Sequence, residues 1–165
     1  MLARLRARGQ RSAVMMLDLD HFKRINDEHG HRAGDLVLRR AAQAIRKAMR
    51  ADSLLARYGG DEYTVILPGA DSTRALEVAE NIRLRVLQEV FLAHPGSDGR
   101  PALNIQGHFS ASVGVASYRE CVFPASIVDL EHRRQHFIRI ADEAMYRAKR
   151  QGKNQVCLGC QREAL

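Results

Sequence analysis

At 165 residues the chain has the length of one domain able to bury its own core. An apolar fraction of 45% and a charged fraction of 27% suit a soluble globular protein, and no apolar run reaches membrane-span length. The formal net charge of +7 favours anionic partners, but the basic residues are scattered over helical stretches and the few aromatics do not interleave with them. A stacking platform for nucleic acid is therefore not expected, nor is membrane contact by this chain.

Residues 1–10 (MLARLRARGQ) lack the apolar stretch of a secretory signal, so the expected location is cytoplasmic, with any sensor segment outside this chain. Residues 12–19 (SAVMMLDL) predict a buried strand whose end carries Asp18 and Asp20. Residues 20–29 predict a short helix, capped by Asp20 and ended by Gly30. Over 35–50, Val37, Ala41, Ile45 and Ala48 recur at helical spacing. Strands at 54–58 and 62–67 meet at Gly59-Gly60 in a hairpin. A helix follows over 73–91, then a strand over 109–118 that either alternates or is wholly buried. Phe137, Ile140, Ala141, Ala144, Met145 and Ala148 form one apolar stripe of a helix over 136–150, and a last strand covers 154–158. The stretches around 94–101 and 119–132 read as irregular loops. Strands alternating with helices, plus one hairpin, give an α/β domain with one mixed sheet.

The chemistry concentrates where acids meet glycines, in "ARYGGDEYTVILP" (56–68). Asp61 and Glu62 are adjacent carboxylates, which repel each other unless a cation or donors offset them. Mg²⁺ commonly takes one or two carboxylates together with substrate phosphates. If the first strand lies beside the hairpin, Asp18 and Asp61 could share such a site; capping alone accounts for Asp20. Lys23, one turn into the helix after these acids, and Lys149 and Lys153, flanking the turn in AKRQGKN, are candidate phosphate partners. Any single lysine here reads more readily as a solvated surface residue; the case rests on all of them appearing together. Cys157 and Cys160 have the spacing of a zinc knuckle, but no second pair completes four ligands, and reduced thiols are expected.

Four stretches in this order, "LDLDHFKRINDEHGHRAGDLVL" (17–38), "ARYGGDEYTVILP" (56–68), "FSASVGVAS" (109–117) and "ADEAMYRAKRQGKNQV" (141–156), resemble the GGDEF diguanylate cyclase domains. The resemblance covers about residues 12–158. It implies a palm-like fold, a mixed five-stranded sheet surrounded by helices, with 1–11 a helix remnant and 159–165 a tail. It also implies condensation of two GTP into cyclic di-GMP and two pyrophosphates at the interface of a homodimer, formed at least transiently. By matching position, Asp18, Asp61, Glu62 and the Leu19 carbonyl look like ligands of Mg²⁺ or Mn²⁺, two per active site. Glu62 is alternatively an aid to deprotonation of the 3′-hydroxyl. Asn26 and Asp35 match the pair that binds guanine, and Lys23, His21, Phe22, Lys149 and Lys153 match phosphate-binding positions. Gly59 and Gly60 would let backbone approach the nucleotide.

Three departures stand out. Tyr63 replaces the signature's phenylalanine, adding a hydroxyl that needs a partner if buried. In the stretch RADS (50–53), where many members bind product, Arg50 is present but Ser53 stands in the acid's place. On a strand Asp52 would point to the other face, so weak or absent product inhibition through Arg50 is expected. The family's N-terminal Asp-x-Leu-Thr segment is missing, which bears on coupling to an upstream regulatory domain. The rival readings are an inactive GGDEF-like domain that binds GTP or cyclic di-GMP, another palm-type cyclase or polymerase, and a basic nucleic-acid-binding module.

Overall fold

The computed structural model describes residues 12–93, 102, 104–105, 109–121, 123–124 and 129–159. Its strands are β1 (Ser12–Asp20), β2 (Leu54–Gly59), β3 (Glu62–Pro68), β4 (Ser110–Ser117) and β5 (Val156–Leu158). Among the described residues the helices are α1 (Phe22–His29), α2 (His31–Ala48), α3 (Ser72–Gln88) and α4 (Leu130–Arg150). The expected remnant over 1–11, the loop at 94–101 and most of the tail lie outside the described residues.

One sheet runs in the order β2-β3-β1-β4-β5. Only β4–β5 is parallel, and α4 makes the crossover that a parallel pair requires. β1 is central, and all nine of its residues are buried. Its odd positions, Ala13 to Leu19, join the larger core with α1, α2, α3 and the inward face of β3 (Tyr63, Val65, Leu67). Val14 and Met16 face the other way, against Ala141 and Met145 of α4. Asp18 and Asp20 continue that even series, so the pleat sends both acids to the α4 side.

α4 can lie this close because small residues meet on both sides. A Cβ at Gly114 of β4 would stand 2.0 Å from the Ala141 carbonyl oxygen and 2.2 Å from the Met145 nitrogen. Ala141, Ala144 and Ala148 supply the matching shallow face on the helix. The sequence-based helix here begins too late. Asp129 caps the first turn by accepting from the His132 amide, so α4 gains six residues at its start that carry no apolar stripe. β4 is buried along its whole length, which settles the open alternative for that strand.

Asp20 does not cap α1, contrary to expectation. It is the last residue of β1; His21, with φ +66°, occupies the cap position without a side-chain bond. The helix following Gly30 also starts earlier than expected, at His31, since Gly30 serves both as the end of α1 and the start of α2.

Candidate active site

Register builds the site. β1 pairs antiparallel with β3 so that Asp18 faces Glu62, and the Leu19 amide donates to the Asp61 carbonyl at 3.3 Å. The hairpin tip, the end of β1 and the end of α4 therefore converge. Gly60 has φ +49° and needs glycine's freedom there, while the Arg57 Nε donates to the Gly60 carbonyl at 2.7 Å and closes the turn. Gly59 does not share that need. Its φ is ordinary and a Cβ there would meet open space. The expectation that both glycines serve the turn is thus half right.

Asp18 is 6% exposed, and its Oδ2 lies 2.6 Å from the Lys149 Nζ. Burial pushes its carboxyl up to about 6. The hydrogen bond from Lys149 opposes that rise, whereas the negative charges of Asp61 and Glu62 add to it. A buried carboxylate with two more acids beside it is a site short of positive charge. Among the described residues no group of three His, Cys, Asp or Glu side chains is gathered tightly enough to hold a metal unaided. The donors present, two or three hard carboxylates and the Leu19 carbonyl, fit a Mg²⁺ or Mn²⁺ ion that completes its shell from a phosphorylated substrate.

Of the other sequence-based candidates, Lys23 and His21 are exposed at the start of α1, beside the amides that a helix leaves unpaired. The Phe22 ring is in the core, at 8% exposure, so only its backbone can face a ligand. Asn26 on α1 and Asp35 on α2 flank the α1–α2 corner, and Asp35 is exposed. Gly34, inside α2, lets α1 close against it. A Cβ there would stand 2.0 Å from the Asn26 Oδ1, so the amide group occupies the space a side chain would take. Sequence reasoning passed over Gly34, although a glycine inside a helix costs roughly 1 kcal/mol and asks for a packing reason.

Lys153 lies in the turn after α4 with φ +64°, and its amide donates to the Ala148 carbonyl at 3.0 Å. Tyr63 is 2% exposed, and its hydroxyl donates to the Leu38 carbonyl at 2.8 Å, which supplies the partner its burial requires. Residues 50–53 form a turn ahead of β2, so the two-face argument for Asp52 does not apply. Instead the Arg50 Nη2 donates to the Asp52 Oδ2 at 2.9 Å, and Ser53 is buried at 2% exposure. Cys157 is a free thiol, and Cys160 lies outside the described residues. Several arginines, including Arg24, Arg74 and Arg139, pair with acids one turn away, as expected of solvated helix faces. No helix among the described residues is long and apolar enough to cross a membrane.

Acids on a strand end and a glycine hairpin, in a sheet of this order, are the layout of a palm-like nucleotidyl cyclase. A family model described as "Diguanylate cyclase, GGDEF domain" matches residues 1–155. Diguanylate cyclase A of Treponema denticola is 36% identical over 146 residues, 88% of this chain and 34% of that protein. Diguanylate cyclase DosC of Escherichia coli is 37% identical over 148 residues, 90% of this chain and 28% of that protein. The GGDEF domain of DgcB from Caulobacter crescentus, solved with c-di-GMP, superposes with a TM-score of 0.75 at 28% identity, covering 96% of this chain and 83% of that one. The chain belongs to the GGDEF diguanylate cyclase family. It spans about a third of the length of these curated relatives.

Proposed function

We propose that the chain is a diguanylate cyclase domain, joining two GTP molecules into cyclic di-GMP with release of two pyrophosphates. The observation that carries this reading is the buried Asp18 facing the Asp61-Glu62 hairpin tip, with Lys149 against it. A chain that merely folded would gain nothing from gathering three acids around a site with one lysine.

Asp18, Asp61, Glu62 and the Leu19 carbonyl would hold Mg²⁺ or Mn²⁺, two ions per site. Such ions, when bound, favour the ionised 3′-hydroxyl and offset charge on the triphosphate. The protein's own part is to position and to select. Asn26 and Asp35 take the guanine edge, and an acid accepting from its N1–H and 2-amino group rejects adenine, which lacks those donors. Lys23, Lys149, Lys153 and the His21 and Phe22 amides hold the phosphates, the amides at the positive end of α1. Gly59, whose missing side chain no neighbour among the described residues explains, leaves room for the nucleotide. The 3′-oxygen of each GTP, its proton released to solvent or to Glu62, attacks the α-phosphorus of the other. Each time the bond from the α-phosphorus to the α,β-bridging oxygen breaks, so two phosphodiester bonds form and two pyrophosphates leave. The two GTP molecules sit on separate domains, so the working species is a homodimer, formed at least transiently.

The test is incubation with GTP and Mg²⁺ over a range of protein concentrations, following cyclic di-GMP and pyrophosphate, with Asp61→Ala as control. Product rising faster than linearly with enzyme, and absent in the variant, is expected. Metal-dependent GTP binding without product would favour the inactive, binding-only reading. Neither binding nor product would overturn the nucleotide reading altogether.

A further inference from the structure

We propose that Asp20 and Arg83 are positioning residues that grip Asn154 from two sides and so set the turn carrying Lys153. The inference rests on the cyclase reading, in which Lys153 binds phosphate, and it takes that phosphate to be the β- or γ-phosphate of GTP. Asp20 is 2% exposed and fully engaged. It accepts from the Ser110 Oγ at 2.6 Å, the Ser112 Oγ at 2.8 Å and the Asn154 amide at 3.1 Å. From the other side the Arg83 Nη1 donates to the Asn154 Oδ1 at 2.7 Å, while the Arg83 Nε is fixed on the Glu80 Oε2 at 2.8 Å.

The turn requires such a grip. Gly152, Lys153 and Asn154 all have positive φ, at +114°, +64° and +46°. Glycine adopts this freely and asparagine with little cost, but a left-handed lysine costs roughly 1–2 kcal/mol. A strained residue persists only where its surroundings over-determine it. Here a buried carboxylate and a guanidinium, each placed by a different element, hold the next residue through its backbone and its side chain. β1 thus contributes twice to the site: Asp18 to the acid cluster, and Asp20, two residues on along the same face, to the opposing cationic turn.

The experiment compares binding of GTP and GMP, which share guanine and ribose but differ in the β- and γ-phosphates. Arg83→Met is expected to weaken GTP binding about tenfold, the worth of one charge-assisted hydrogen bond, and to leave GMP binding unchanged. Asn154→Gly keeps the left-handed backbone and the amide held by Asp20 but loses the Arg83 contact; it should match Arg83→Met, and the double variant should lose no more than either. Arg83→Lys should restore part of the loss. Folded variants in which GTP and GMP weaken together, or neither weakens, would overturn the proposal. Wild-type protein that binds no GTP would instead overturn the cyclase reading and remove the basis of this one. Melting temperatures identify any variant that fails to fold, and Asn154→Gly, on the surface turn, then decides alone.

Discussion

The Lys149 Nζ stands 2.6 Å from the Asp18 Oδ2, so a lysine of the last helix occupies one oxygen of the buried acid that faces the hairpin tip. This contact compensates only part of the desolvation, because the carboxyl is still raised from 3.8 to about 6. A raised acid binds more protons folded than unfolded between those values, so its contribution to stability falls as pH rises through them. Divalent-free wild type should therefore lose stability relative to Asp18→Asn between pH 4 and pH 7. Melting temperatures across that range would check it, and a constant gap between the two proteins would refute it. Added Mg²⁺ or Mn²⁺ should raise the wild-type melting temperature more at pH 7.5 than at pH 5, since protons compete for the ligand.

Tyr63→Phe removes a buried donor but leaves the ring. The Leu38 carbonyl it serves sits in a helix. A loss of about 1 kcal/mol in denaturant unfolding is expected, with turnover within a factor of two of wild type. A large fall in kcat with unchanged stability would mean that the hydroxyl acts in the reaction.

Gly34→Ala places a methyl where the Asn26 amide now lies. The flexible side chain must move, so the expected result is a folded protein, destabilised by roughly 1–3 kcal/mol, whose KM for GTP rises more than its kcat falls. Unchanged KM would remove Asn26 from the guanine site.

Arg50→Ala breaks an exposed ion pair with Asp52 and little else. Stability should move by less than about 1 kcal/mol. Inhibition by cyclic di-GMP, measured against GTP concentration, should be the same in variant and wild type. Relief of strong inhibition would show that Arg50 serves a product site despite Ser53.

Strand β1 and the hairpin were legible because their signals are local: an apolar run ending in acids, and two runs joined by glycines. Helix α4 was legible only where its stripe is apolar. Its first turns, led by Asp129 and carrying Glu131, Arg133 and Arg134, are solvated and held by capping and i,i+3 pairs that hydrophobic periodicity does not register. The acids of the site could be named from the sequence, but their pairing could not, because the Asp18–Glu62 register depends on which strands become neighbours. Asp20 was misread for a related reason. Its partners, Ser110, Ser112 and Asn154, lie 90 or more residues away, and capping was the only role its immediate neighbours offered.

The register of β1 against β3 also governs how function is lost. Met15, Leu17 and Leu19 fix that register by burial on one face, and the same two-residue period fixes Asp18 on the other. Acids and core cannot slip independently, because a shift of one residue would turn the leucines out of the larger core toward α4 as it displaced the carboxylate. Assembly of the site is thus not an event separate from folding. Under heat or denaturant, catalytic capacity should decline in proportion to the native population, with no compact species that keeps the sheet yet has lost its acids.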